Sequence, residues 1–151
     1  MRPIILLVIL FFTMHSYTNG QSAEDSVKKA VNLLFEGMMK SDTSLLRQAF
    51  ADSAILQTIG TAKDGNTFIR NESIGGFAEA IGKTPPGAAD ERIVIQTIKV
   101  DGALAIVWAP YKFYYKGQFS HCGVDSFQLV RIKGVWKIQY LIDTRRKDEC
   151  G

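Results

Sequence analysis

The sequence is short of cysteine, histidine, proline and charge of one sign. Two cysteines, two histidines and four prolines in 151 residues exclude a disulfide-dense scaffold and leave too few ligands for a protein-built zinc site. The 18 Lys+Arg against 15 Asp+Glu give a formal charge of +3, too small an excess for the basic footprint of a nucleic-acid binder. No internal repeat or low-complexity tract occurs, which excludes solenoids and arrays. We therefore expect no metal, no cofactor and no nucleic-acid partner. What remains is 46% apolar residues in a length that suits one hydrophobic core.

The longest apolar run lies at the start. Arg2 precedes Ile4 to Phe12, and the polar stretch from His15 to Gly20 follows. A charged start, a short apolar run and a small-residue exit read as a secretory signal peptide. A spanning helix needs about twenty apolar residues, so no stable membrane anchor is expected. We assign residues 1–20 to the signal peptide, with cleavage after Gly20, and residues 21–151 to a single domain that is secreted or periplasmic. Export places Cys122 and Cys150 where thiols can oxidise. They are the one possible pair: either they bridge, closing a loop for which chain entropy suggests about 3 kcal/mol, or they lie too far apart to meet.

Along the domain, Val27, Val31, Leu34 and Met38 recur at helical spacing from Asp25 to Lys40, with Asp25 or Ser22 as cap. Asp42 caps a second short helix holding Leu45, Leu46, Ala49 and Phe50. Ala54 to Ile59 reads as a strand, Asp64-Gly65 as a turn and Thr67 to Arg70 as the returning strand, with a third helix from Ser73 to Ile81. Proline and glycine make Lys83 to Asp90 a loop. Four β-rich segments follow: Arg92 to Val100, Leu104 to Tyr115, Phe119 to Ile132 and Val135 to Asp143. Asp101-Gly102, Lys116-Gly117 and Lys133-Gly134 punctuate them at hairpin spacing. The order predicts an α+β fold, a cone-shaped curved antiparallel sheet packed on N-terminal helices.

Threading the last hairpin through Lys133-Gly134 sets Leu129 opposite Ile138, Phe127 opposite Tyr140, Asp125 opposite Ile142 and His121 opposite Arg146, on the face of Trp136. Phe127 and Tyr140 then face a cavity, and the same alternation carries the Asp125 carboxylate inward. In an apolar cavity its pKa rises by desolvation, which suits proton exchange near neutrality; the plainer reading is a strand-end aspartate bonded to backbone or arginine. His121 carries the same two readings. Four residues separate the two, about 13 Å at strand rise, so they form no direct dyad. Trp108, Tyr111 and Tyr115 belong to an aromatic cluster that lines a ligand cavity, forms a dimer face or fills the core. Pro110 implies a bulge or a sheet edge nearby, which leaves the inward face of that strand open.

Together the opening helix, the Lys40-Ser41-Asp42-Thr43-Ser44-Leu45-Leu46 step, Phe50-Ala51-Asp52-Ser53-Ala54 and the closing Val124-Asp125-Ser126-Phe127-Gln128-Leu129-Val130-Arg131 with Gly134-Val135-Trp136-Lys137-Ile138 resemble the nuclear transport factor 2-like superfamily. That superfamily includes ketosteroid isomerases, scytalone dehydratases, polyketide cyclases and lumazine-binding-type proteins. The segment Ser120-His121-Cys122-Gly123-Val124-Asp125 looks most similar to exported members without an established activity. The resemblance implies a cone with a pocket at its open end and a homodimer formed through the sheet. Ketosteroid isomerase combines an aspartate base with a tyrosine and a protonated aspartate; Asp125, Tyr111 and Tyr115 are of suitable type. The leading expectation is an exported domain that binds a small apolar organic molecule. The alternatives are a cofactor-free isomerase, dehydratase or cyclase in which Asp125 moves a proton beside His121 or a tyrosine, and a structural or interaction module whose pocket is filled by its own side chains.

Overall fold

The computed structural model describes residues 22–150; the expected signal peptide and its cleavage point lie outside them. Three helices, α1 (Ala23–Lys40), α2 (Thr43–Ala49) and α3 (Ile74–Gly82), pack on seven strands. The strands are β1 (Phe50–Thr61), β2 (Thr67–Glu72), β3 (Ala89–Ile93), β4 (Thr97–Asp101), β5 (Leu104–Tyr115), β6 (Gln118–Ile132) and β7 (Val135–Thr144). They form one sheet in the order β2-β1-β7-β6-β5-β3, with β4 also paired to β5. All pairings are antiparallel except that of β1 with β7, so the sheet is mixed rather than purely antiparallel.

Local chemistry sets the helix bounds. Ser22, not Asp25, caps α1 by accepting from the Asp25 amide, and Asp42 accepts from the Ser44 and Leu45 amides to start α2. Gly37 allows α1 and α2 to touch: a Cβ there would stand 2.7 Å from the Leu46 nitrogen. The inner stripe of α1, Val27, Val31, Leu34 and Met38, is buried as its spacing predicts. It meets Val107, Phe127, Leu129 and Ile138 of the sheet in one core, where Phe35 packs edge-on to Phe127 with centroids 6.3 Å apart.

Two expectations about the strands change. The segment expected as one strand from Arg92 to Val100 is two, and the preceding loop ends before Ala89 rather than after Asp90. Ile93 pairs with Tyr111 and Thr97 with Trp108, so the intervening Val94, Ile95 and Gln96 lie opposite Ala109 and Pro110 alone. The extra residue breaks the ladder beside a proline that has no N–H to give. β5 itself is no sheet edge, since β6 covers its other side.

The second change is the register of the last hairpin. Leu129 pairs with Ile138 as threaded, but a bulge follows. Beyond it Phe127 pairs with Leu141 and Asp125 with Asp143, while Gln128 and Ser126 take Tyr140 and Ile142. At the far end Cys122, not His121, bridges to Arg146. The bulged Gln139 is held by β1, its Nε2 donating to the Ser53 carbonyl at 3.0 Å. One inserted residue exchanges the two faces of β7 beyond it. Leu141 and Asp143 thereby become buried, and Tyr140 and Ile142 turn to the other face.

Candidate functional site

The sheet curls over α1 and α3 and leaves a cavity of about 250 Å³. Its walls are apolar: Leu34, Phe35 and Met38 from α1, Phe77 from α3, Leu56 from β1 and Leu141 from β7. Phe113 and Tyr115 of β5 add two more rings. Its far end is polar, where Glu91 of β3, His121 and Asp125 of β6, and Asp143 and Arg145 from the end of β7 converge. A larger hollow of about 580 Å³ lies between α2 and the Lys133-Gly134 turn. Its charged lining, Arg47, Asp52, Lys133 and Lys137, is surface, so the chemistry is concentrated in the smaller cavity.

Asp125 is 3% exposed, and its Oδ2 meets no hydrogen-bond partner among the described residues. The group that faces it is another carboxyl, that of Glu91. Two facing carboxylates, Asp125 buried and Glu91 half-buried, cannot both readily ionise, so the pair holds one proton between them. Burial lifts the Asp125 carboxyl well above the usual carboxylate range; the charges of Glu91 and Asp143 add to this, and Arg145 opposes it. Burial also pushes Glu91 up to about 7, with Asp143 adding and the hydrogen bond from Asp125 and the charge of Arg145 pulling back. Asp125 therefore carries the proton and donates it toward Glu91, whose own charge is lost around neutrality.

Asp143 sits differently. Its Oδ2 accepts from Arg145 Nε at 2.8 Å and from the Tyr111 hydroxyl at 3.0 Å. The Tyr111 hydroxyl also reaches the Thr144 carbonyl at 2.9 Å, so its single hydrogen is shared. Burial, then the neighbouring acids, raise the Tyr111 phenol above its ordinary value and keep it neutral. Burial opposes the Arg145 cation, but the Asp143 charge and hydrogen bond outweigh it. Gly123 makes this arrangement possible: a Cβ there would fall 1.7 Å from the Thr144 carbonyl oxygen and 2.9 Å from the Tyr111 ring. His121 lies against both Phe113 and Tyr111, with centroids 5.0 and 5.7 Å apart. Burial first, then the Arg145 charge, lower its pKa, leaving a neutral imidazole whose Nδ1 is 3.0 Å from Ser120 Oγ.

The expected site residues thus separate. Asp125 and His121 both line the cavity, and Tyr115 stands at its edge. Tyr111 is buried behind it, bound to Asp143, and Phe127 lies deeper, in the core. Trp108 and Tyr140 do not line it. Trp108 alternates onto the outer face, 48% exposed, and the bulge turns Tyr140 outward, where its hydroxyl donates to Gln57 at 2.6 Å. Glu91, Asp143 and Arg145 at the polar end, with Arg70 and Glu72 elsewhere on the lining, are charged residues that the sequence did not place at the site. Glu91 fell between the expected loop and the expected strand, although the alternation of Ala89, Glu91 and Ile93 marks an inward row. Asp143 was hidden by the register.

Among the described residues no cluster of three or more His, Cys, Asp or Glu side chains suits a metal ion, and no helix is long and apolar enough to cross a membrane. Cys122 and Cys150 are joined as a disulfide, with Cα atoms 5.7 Å apart.

Comparison with known proteins places this geometry. Residues 22–140 match the family described as putative lumazine-binding. No curated protein matches the chain. A nuclear transport factor 2-like protein of unknown function from Shewanella baltica OS155 superposes with TM-score 0.63 at 18% identity, covering 83% of this chain and 94% of the other. One from Shewanella oneidensis MR-1 gives 0.63 at 16%, covering 82% and 99%. A protein of unknown function with a cystatin-like fold from Nostoc punctiforme PCC 73102 gives 0.64 at 13%, covering 84% and 95%. At these identities the likeness is one of fold.

Proposed function

We propose that this chain, which belongs to the putative lumazine-binding family and has the nuclear transport factor 2-like fold, is an exported domain that holds a small organic molecule in the cavity ending at Asp125. The observation that carries this reading is the Asp125 carboxyl itself. A group 3% exposed with an unpartnered oxygen costs folding energy, of order 1–3 kcal/mol for an unsatisfied polar atom. Such a cost persists where a bound molecule supplies the missing partner. The apolar walls would take the body of that molecule and Asp125 with Glu91 would orient its polar end. The family name supports small-molecule binding without naming the molecule held here. A module whose pocket is filled by its own side chains is disfavoured by the open volume beside Asp125. Export is supported by the Cys122–Cys150 bridge, which suits an oxidising compartment.

The carboxyl pair favours a second reading. A proton held between Asp125 and Glu91 can be given to a bound molecule at one atom and recovered from another, which is the work of a cofactor-free isomerase, dehydratase or cyclase. Asp125→Asn separates the two. The amide keeps the shape and a hydrogen to donate, so the fold should survive within about 1 kcal/mol. Under the binding reading a retained molecule stays bound and nothing is turned over by either protein. Under the chemical reading binding persists while turnover disappears; unchanged turnover would remove Asp125 from any chemistry.

A further inference from the structure

The chemistry at the far end of the cavity narrows the kind of molecule it takes, and this step rests on the binding reading above. Four acids line the cavity, Glu72, Glu91, Asp125 and Asp143, against two arginines, Arg70 and Arg145. Arg145 is committed to Asp143 at 2.8 Å, and Arg70 and Glu72, both on the edge strand β2, are opposite in sign. His121 is neutral, and α1 and α3 contribute only apolar or small residues to the wall. Arg70 is exposed and Lys147 acts on His121 from the chain beyond β7; among the groups that converge at the polar end, Asp143 and Arg145 hold each other and the charge of the Glu91–Asp125 pair has no salt-bridge partner. A half-buried negative charge without a salt-bridge partner attracts a cation, because less water remains to screen it than at the surface. Phe35, Phe77, Phe113 and Tyr115 line the same cavity, rings whose faces attract an organic cation. With no metal-ligand cluster among the described residues, the complement is an ammonium or amidinium carried on an apolar body.

We infer that the cavity selects a small organic cation, its charged nitrogen placed at the unpartnered oxygen of Asp125 and the carboxylate of Glu91 and its apolar body packed against the aromatic wall. Below about pH 7 binding displaces the proton that Glu91 itself takes up, while Asp125 keeps the one it shares with Glu91, so affinity rises with pH until Glu91 is ionised in the free protein. Arg145 and Asp143 stay paired throughout and contribute no net charge to the change.

Three probes of one shape test this on the mature chain: 2-phenylethylammonium, the neutral 2-phenylethanol and the anionic 3-phenylpropanoate, titrated while amide shifts are followed at Phe113, His121 and Asp125. At pH 8 the ammonium should bind at least tenfold more tightly than the alcohol, with the carboxylate weakest. Its affinity should fall by up to tenfold per pH unit below about 7, and Glu91→Gln should abolish the advantage of the ammonium over the alcohol. If that variant does not fold, the wild-type pH profile decides alone. Equal binding of ammonium and alcohol, or tighter binding of the carboxylate, would overturn the cation inference and leave the binding site standing. Absence of shifts at the cavity with all three would overturn both.

Discussion

Asp125 and Glu91 lie far apart in sequence and meet because a curved sheet brings β3 and β6 to the same end of the cavity. Their shared proton has a consequence for stability. Burial lifts Glu91 from 4.5 to about 7, so the folded chain keeps a proton that the unfolded chain has released. The stabilisation from this group is full below about pH 4.5, declines as pH rises and is lost through about pH 7. Glu91 is only partly buried, so solvent screening reduces the effect to about 1 kcal/mol. Unfolding free energies of wild type and Glu91→Gln from urea titrations should diverge between pH 5 and 8 by that amount, the wild type losing stability relative to the variant as pH rises. Parallel profiles would mean that Glu91 titrates like an ordinary surface carboxylate.

At the scale of elements, the site depends on where two strands depart from regularity. The bulge at Gln139 turns Asp143 inward, and Gly123 lets the end of β7 cross close to Tyr111. Gly123→Ala would drive a Cβ into the Thr144 carbonyl at 1.7 Å. Backbone must move, at a cost of about 3 kcal/mol, and the Tyr111 bonds to Asp143 and Thr144 should break with it. A lowered melting temperature together with loss of the near-ultraviolet tyrosine signal would show this; an unchanged melting temperature would refute the close approach. The same two irregularities mark what was legible in the sequence. The helices, their caps and the turn at Lys133-Gly134 follow from local periodicity and local hydrogen bonding; they stand where expected except that Phe50, expected in α2, opens β1, which starts there rather than at Ala54. Asp125 was legible because the alternation of Asp125, Phe127 and Leu129 is unbroken on β6. Its partner across β7 was not, because an inserted residue leaves no local signature when Trp136, Ile138, Tyr140 and Ile142 also alternate as apolar residues. The glycine interrupting β6 was the available signal, since glycine inside a strand marks a close backbone approach. The added strand β1 was partly visible, but its parallel pairing with β7 joins residues distant in sequence, which periodicity cannot report.

For the whole molecule, the Cys122–Cys150 bridge spans 28 residues and pins the C-terminal tail to β6 behind the site. Reduction should lower unfolding stability by about 3 kcal/mol, measured by denaturation with and without reductant; equal midpoints would show that the bridge does not constrain the unfolded chain. The outer face of the sheet exposes Leu104, Ile106 and Trp108 along β5, and we propose this apolar strip as the face of the homodimer that the family resemblance implies. Light scattering should give twice the chain mass, and Trp108→Glu should halve it; wild type at the monomer mass would end that proposal. The central claim is that a small molecule occupies the cavity at Asp125. Native mass spectrometry of the protein from its exported fraction tests it most directly, beside Ala80→Trp, which places a ring among the cavity-lining residues. The wild type should carry a small organic adduct that the variant lacks, whereas the same adduct on both proteins, or none on the wild type, would contradict the account.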